Sequence, residues 1–164
     1  MPVGSQLAHK YWISLDPGLE GTGWAIWLGD QFKESGVIKP HGKTWEEKLR
    51  YVIGDLKHDL DDRVCMLYYE LPFIALDGVA GISAKKQDVI KLTMLAGAIT
   101  TLFQESYPVP VIRWKGNMPK KLSMDRVKAW MSKNGYSFAT KTSHENDAIG
   151  IGLYVIKVGG KIPC

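Results

Sequence analysis

The chain has 164 residues, 45% of them apolar, and a formal net charge of +4, which is enough chain for one domain with a real core. No apolar run reaches the roughly 18–20 residues that span a bilayer, and Met1 to Lys10 holds no apolar signal-peptide core. Two cysteines, Cys65 inside an apolar run and Cys164 at the last position, make neither a disulfide framework nor a zinc pattern. These features argue against a membrane protein and a disulfide-stapled secreted module, and lead us to expect a reducing, cytoplasmic location.

In chain order, Ile13 to Leu15 reads as a buried strand ending in Asp16, with the turn signal Pro17-Gly18 behind it. Thr22 to Leu28 and Phe32 to Ile38 read as two further strands joined by a hairpin turn at Gly29-Asp30. Thr44-Trp45-Glu46-Glu47 forms a capping box. The apolar residues behind it fall at helical spacing to about Leu60. Val64 to Tyr69 lacks alternation and predicts a strand buried on both faces, ending at Glu70. Leu71 to Ser83 is loop-like. A long helix is expected from about Ala84 to about Glu105, a short strand over Val109 to Ile112, and a basic loop containing Gly116 and Pro119. Ser123 is expected to cap a helix ending at Asn134-Gly135, and Ser143 a last helix reaching about Val158. The order β-β-β-α-β-α-β-α-α predicts one α/β domain over residues 1–164. Its mixed five-stranded sheet combines an antiparallel opening with parallel crossovers and is flanked by helices on both faces.

Three carboxylates stand at edges of these elements: Asp16, Glu70 and, in the first turn of the last helix, Asp147. Each alone has a plain reading: Asp16 as a turn former, Glu70 as a strand end, Asp147 as a residue favoured by the helix dipole. Jointly they point elsewhere. If the first and fourth strands are neighbours, a strand spacing of about 5 Å brings Asp16 beside Glu70, at the sheet edge where open α/β sheets hold their active crevice. His144 and Asp147 are three apart and share a helix face. Three acids and an imidazole in one crevice call for cations. Two Mg²⁺ ions about 3.5–4 Å apart would make a phosphodiester-hydrolysing site. Glu145 points about 100° away from Asp147's neighbour face and ranks lower as a ligand.

The charge is unevenly spread. Arg113 to Lys133 holds seven basic residues against one acid, Asp125, a local net of +6 that attracts phosphate. A solvated basic face is the alternative.

Ile13-Ser14-Leu15-Asp16-Pro17-Gly18 with Thr22-Gly23-Trp24-Ala25 resembles the opening motif of RuvC-type Holliday-junction resolvases. Tyr69-Glu70-Leu71-Pro72-Phe73 resembles their second acidic motif, Lys91-Leu92 followed by Gly97 the helix after it, and His144-Glu145-Asn146-Asp147-Ala148 the closing motif. The match runs from about Lys10 to about Val158. The resemblance implies an RNase H-like fold and a homodimer that binds four-way DNA junctions and nicks opposing strands symmetrically with Mg²⁺ or Mn²⁺. It implies Asp16, Glu70 and Asp147 as metal-binding acids. His144 stands where many members carry Asp; histidine is a softer ligand and favours Mn²⁺. Phe73 falls where the family has an aromatic near the junction centre, with loop packing as its alternative. Lys115, Lys120 and Lys121 fall where the family supplies basic residues to the scissile strand, Lys121 being the preferred catalytic aid. Arg113 could grip DNA beside Trp114, or Trp114 could be a core residue. The long helix is a candidate dimer element.

Rival readings are an actin-like ATPase, whose phosphate hairpin Asp16-x-Gly18-x-x-x-Thr22 also fits, an RNase H-like nuclease acting on RNA–DNA hybrid or other branched DNA, and a non-catalytic junction-binding protein. The first needs two such domains, and this chain has length for one.

Overall fold

The computed structural model describes residues 7–60, 62–71, 83–137 and 142–161. Its elements are β1 (Tyr11–Asp16), β2 (Thr22–Leu28), β3 (Gln31–Ile38), α1 (Trp45–Asp59), β4 (Val64–Leu71), α2 (Ser83–Thr100), β5 (Glu105–Pro110), α3 (Val111–Trp114), α4 (Lys120–Lys133) and α5 (Ser143–Lys157). The five strands form one sheet in the order β3-β2-β1-β4-β5. β1, β2 and β3 pair antiparallel. β4 runs parallel to both β1 and β5. Gly29 turns the β2–β3 hairpin at φ 59°, a left-handed conformation that glycine adopts without steric cost. No helix among the described residues is long and apolar enough to cross a membrane.

Alternation along β1 and β4 divides the core in two. Trp12, Met66 and Tyr68 pack with Met131 of α4 and Ala148, Ile151 and Val155 of α5. Ile13, Leu15 and Leu67 pack on the opposite face with Val52 and Leu56 of α1 and Leu95 and Ile99 of α2. Burial of each such aliphatic side chain contributes about 1.5–3 kcal/mol. Helices therefore cover both faces of the sheet, as the element order predicts.

Helix α5 is keyed to the sheet by polar as well as apolar contacts. The Ser14 hydroxyl donates to the Ala148 carbonyl at 2.7 Å and accepts from the Trp27 indole at 2.9 Å. A Cβ at Gly152 would collide with that indole, so glycine is what lets α5 lie this close.

Local departures from the expected elements have local causes. The Thr44–Glu47 capping box forms as expected. Helix α2 ends at Thr100, where the hydroxyls of Thr100 and Thr101 bond back to the carbonyls of Gly97 and Ala98. Glu105 then opens β5 opposite Met66 rather than closing the helix. Pro108 and Pro110 are tolerated there because β5 is an edge strand. The apolar run expected to be strand over Val109 to Ile112 instead splits between β5 and the single-turn helix α3. Helix α4 starts at Lys120 behind Pro119, leaving Ser123 buried inside it rather than capping it. Thr142, not Ser143, caps α5, its hydroxyl accepting from the Glu145 amide at 3.2 Å.

Candidate active site

Asp16 is the last residue of β1. The parallel register Leu15↔Tyr69 sets Glu70 of β4 in step beside it. Period-two alternation puts Trp12, Ser14 and Asp16 on the same sheet face as Met66, Tyr68 and Glu70, the face that carries α5. The first turn of α5 lies directly on β2: a Cβ at Gly23 would overlap the His144 carbonyl, and one at Gly18 would come within 2.6 Å of the His144 ring. These glycines bring His144 and Asp147 down to the β1–β4 edge.

The acids are coupled but separately held. Asp16 Oδ2 lies 2.8 Å from His144 Nδ1. Burial pushes the Asp16 carboxyl up, opposed by this hydrogen bond, and the same bond pushes His144 up by favouring the imidazolium. Glu70 is pushed up to about 7 by burial first and then by the charges of Asp16 and Asp147, against the Trp114 hydrogen bond and Lys115. All three carboxylates thus act on one another. The Trp114 indole donates to Glu70 Oε2 at 3.0 Å. Lys115 Nζ bonds Asp147 Oδ2 at 2.9 Å, while Asp147 Oδ1 is buried with no hydrogen-bond partner among the described residues. No three of the described His, Cys, Asp or Glu side chains stand together as a ready-made ion-holding group. Each acid of the cluster instead has its own protein partner.

Of the expected basic residues, Lys115 reaches the cluster directly. Lys120, exposed at the start of α4, acts on His144 through its charge, which lowers the imidazole's basicity. Lys121 is exposed on α4, and Arg113 is exposed on α3. A groove of about 450 Å³ beside the site is lined by Arg113, Trp114, Lys115, Arg126, Tyr154 and Lys157, among others, and by no carboxylate of the described residues. Phe73 lies outside the described residues. Glu145 is buried and accepts from the Ser35 hydroxyl of β3 at 2.7 Å. The contact of Trp114 with Glu70 was not foreseen. It spans 44 positions, and no local spacing signals it.

A mixed sheet with acids at the C-terminal edge of two adjacent parallel strands and a helix N-terminus closing over them defines an RNase H-like fold. No protein-family model and no curated protein sequence matches the chain. Solved structures do. Thermus thermophilus RuvC in complex with a Holliday junction substrate aligns at TM-score 0.66 and 16% identity, covering 95% of this chain and 100% of that one. A second Thermus thermophilus RuvC structure aligns at TM-score 0.64 and 17% identity, covering 94% and 99%. The chain has the RuvC-type fold.

Proposed function

We propose that the protein is a structure-specific endodeoxyribonuclease, cytoplasmic and homodimeric, that resolves four-way DNA junctions by paired symmetric nicks with Mg²⁺ or Mn²⁺. The observation that carries this reading is the coupling of Asp16, Glu70 and Asp147 at one sheet edge of a RuvC-type fold.

The donor set suits a divalent cation. Carboxylates are the ligands Mg²⁺ and Mn²⁺ take, and the imidazole tilts the set toward Mn²⁺. Asp147 Oδ1 is a buried acceptor with no donor among the described residues. Asp16 and Glu70 are both desolvated enough to resist ionisation without added positive charge. Asp16, Glu70, Asp147 and His144 would be the ligands. When bound, such ions supply Lewis-acid charge at the scissile phosphate and acidify water. The chain's own residues do the rest. Lys115 neutralises Asp147 in the free protein, and released from it the ammonium can meet a phosphate oxygen. The His144 imidazole holds Asp16 in place. Lys120, Lys121 and Arg113, with the basic groove beside them, would hold the DNA backbone.

The dimer reading draws support from α2. Ile90 and Met94 are 58% and 51% exposed, and a Cβ at Gly97 would meet nothing within 4 Å among the described residues. Spaced four and three apart, the three positions share a face open to close helix approach. A two-fold dimer would present two sites to a two-fold symmetric junction.

The test is a synthetic four-way junction incubated with Mg²⁺, Mn²⁺ or chelator, with every nick mapped. Paired nicks in opposing strands, abolished by chelator and by Asp16→Asn while junction binding persists, are expected. Preference for an RNA–DNA hybrid, or binding with no cleavage under any metal, would overturn the assignment.

A further inference from the structure

Three contacts meet on one side chain that the nuclease reading has not used. The Trp114 ring edge donates its N–H to Glu70 Oε2 at 3.0 Å. Its face carries the Lys115 ammonium 5.1 Å from the ring centroid, within cation–π range, and that ammonium is the one bonded to Asp147. Its far edge lies against α5 at Gly150, where a Cβ would stand 2.7 Å from Trp114 Cζ3. One indole therefore touches the β4 acid, the lysine on the α5 acid and the backbone of α5 itself. It sits on α3, the single turn that follows β5.

We propose that Trp114 is a positioning residue that holds the Glu70 carboxylate, one of the candidate ligands, ready for recruitment by a divalent cation. The proposal rests on the nuclease reading. Among aromatic side chains that fill this space, tryptophan combines an apolar face with an edge N–H donor. That N–H commits one Glu70 oxygen and restrains rotation of the carboxylate, while the ring face holds Lys115 near the acid it neutralises. Partners of this kind, one step removed from the metal, are worth about 10–100-fold in metal affinity.

Trp114→Phe keeps a ring against Gly150 and removes only the donor. Gly150→Ala keeps the donor and drives the ring off its seat. Binding of Mn²⁺ alone to the metal-free protein, followed by titration calorimetry without DNA, should weaken about tenfold in Trp114→Phe, with its thermal unfolding midpoint within a few degrees of wild type, and to a similar degree in Gly150→Ala. Junction cleavage should return close to the wild-type maximum at saturating Mn²⁺, the defect lying in the half-saturating concentration. A residue that merely packs would shift the unfolding midpoint and leave Mn²⁺ affinity alone. If wild type binds Mn²⁺ and nicks junctions, and both variants bind Mn²⁺ within twofold of wild type, the positioning role is overturned and the nuclease reading stands. If wild type binds no Mn²⁺, both fall together.

Discussion

Replacing Glu70 by glutamine tests the electrostatic state of the site in the free protein. Glu70 is pushed up from its ordinary value of 4.5 to about 7. Between those values the folded protein keeps a proton that the unfolded chain has released, so stability falls as pH rises from about 4.5 to about 7. At about 1.4 kcal/mol per pH unit, this costs the wild type roughly 3 kcal/mol by pH 8. Glu70→Gln keeps an oxygen for the Trp114 indole and carries no charge. In urea unfolding with chelator present, the variant should match wild type within about 1 kcal/mol at pH 5 and exceed it by roughly 2–3 kcal/mol at pH 8. Added Mn²⁺ should narrow that gap, because a cation bound to the folded wild type stabilises it by mass action and the variant has lost a ligand. A variant no more stable than wild type at pH 8 would refute the account of Glu70 as a desolvated acid among like charges.

His144→Ala removes the bond that opposes the upward push of burial on the Asp16 carboxyl. Cleavage at pH 7 should fall at least about tenfold, with the larger loss in Mn²⁺, and its rise with pH should move to higher pH in a pH–rate profile; equal rates in both metals would exclude His144 as a ligand. Lys115→Met strips Asp147 of its counter-charge in a partly buried pair, so metal-free stability should drop by about 1–3 kcal/mol in urea melts while Mn²⁺ affinity is kept or gained. Gly152→Ala drives a methyl group into the Trp27 indole and should cost about 1–3 kcal/mol or more, read from the same unfolding curves. Ile90→Glu with Met94→Glu should give a monomer by sedimentation that nicks junction strands without pairing the nicks, and an unchanged oligomeric state would remove α2 as the seam.

Much of the fold was legible because its signals are local. Trp45 to Leu56 carries its own capping box and helical spacing, and it folds as expected. The Gly29-Asp30 hairpin and the unalternating Val64–Tyr69 strand announce themselves over a few residues. The misread stretch, Val109 to Ile112, is an apolar run too short for periodicity to separate strand from helix. Pairing of Glu105–Pro110 with β4 settles where the strand ends. Ser123 and Ser143 are both plausible caps, and the choice of Pro119 and Thr142 instead depends on backbone geometry that composition does not encode.

Residue types and their order determined the acids Asp16, Glu70 and Asp147, the histidine beside them and the alternation that turns the two strand acids toward one face, because side-chain period and strand ends are properties of the chain itself. Tertiary structure alone decided who holds those acids. The partners span long separations: 128 positions from His144 to Asp16, 32 from Lys115 to Asp147 and 44 from Trp114 to Glu70. Such pairings exist only once the strands register and α5 settles on Gly23 and Gly152, since a hydrogen bond needs atoms within about 3 Å and nothing in linear spacing supplies that.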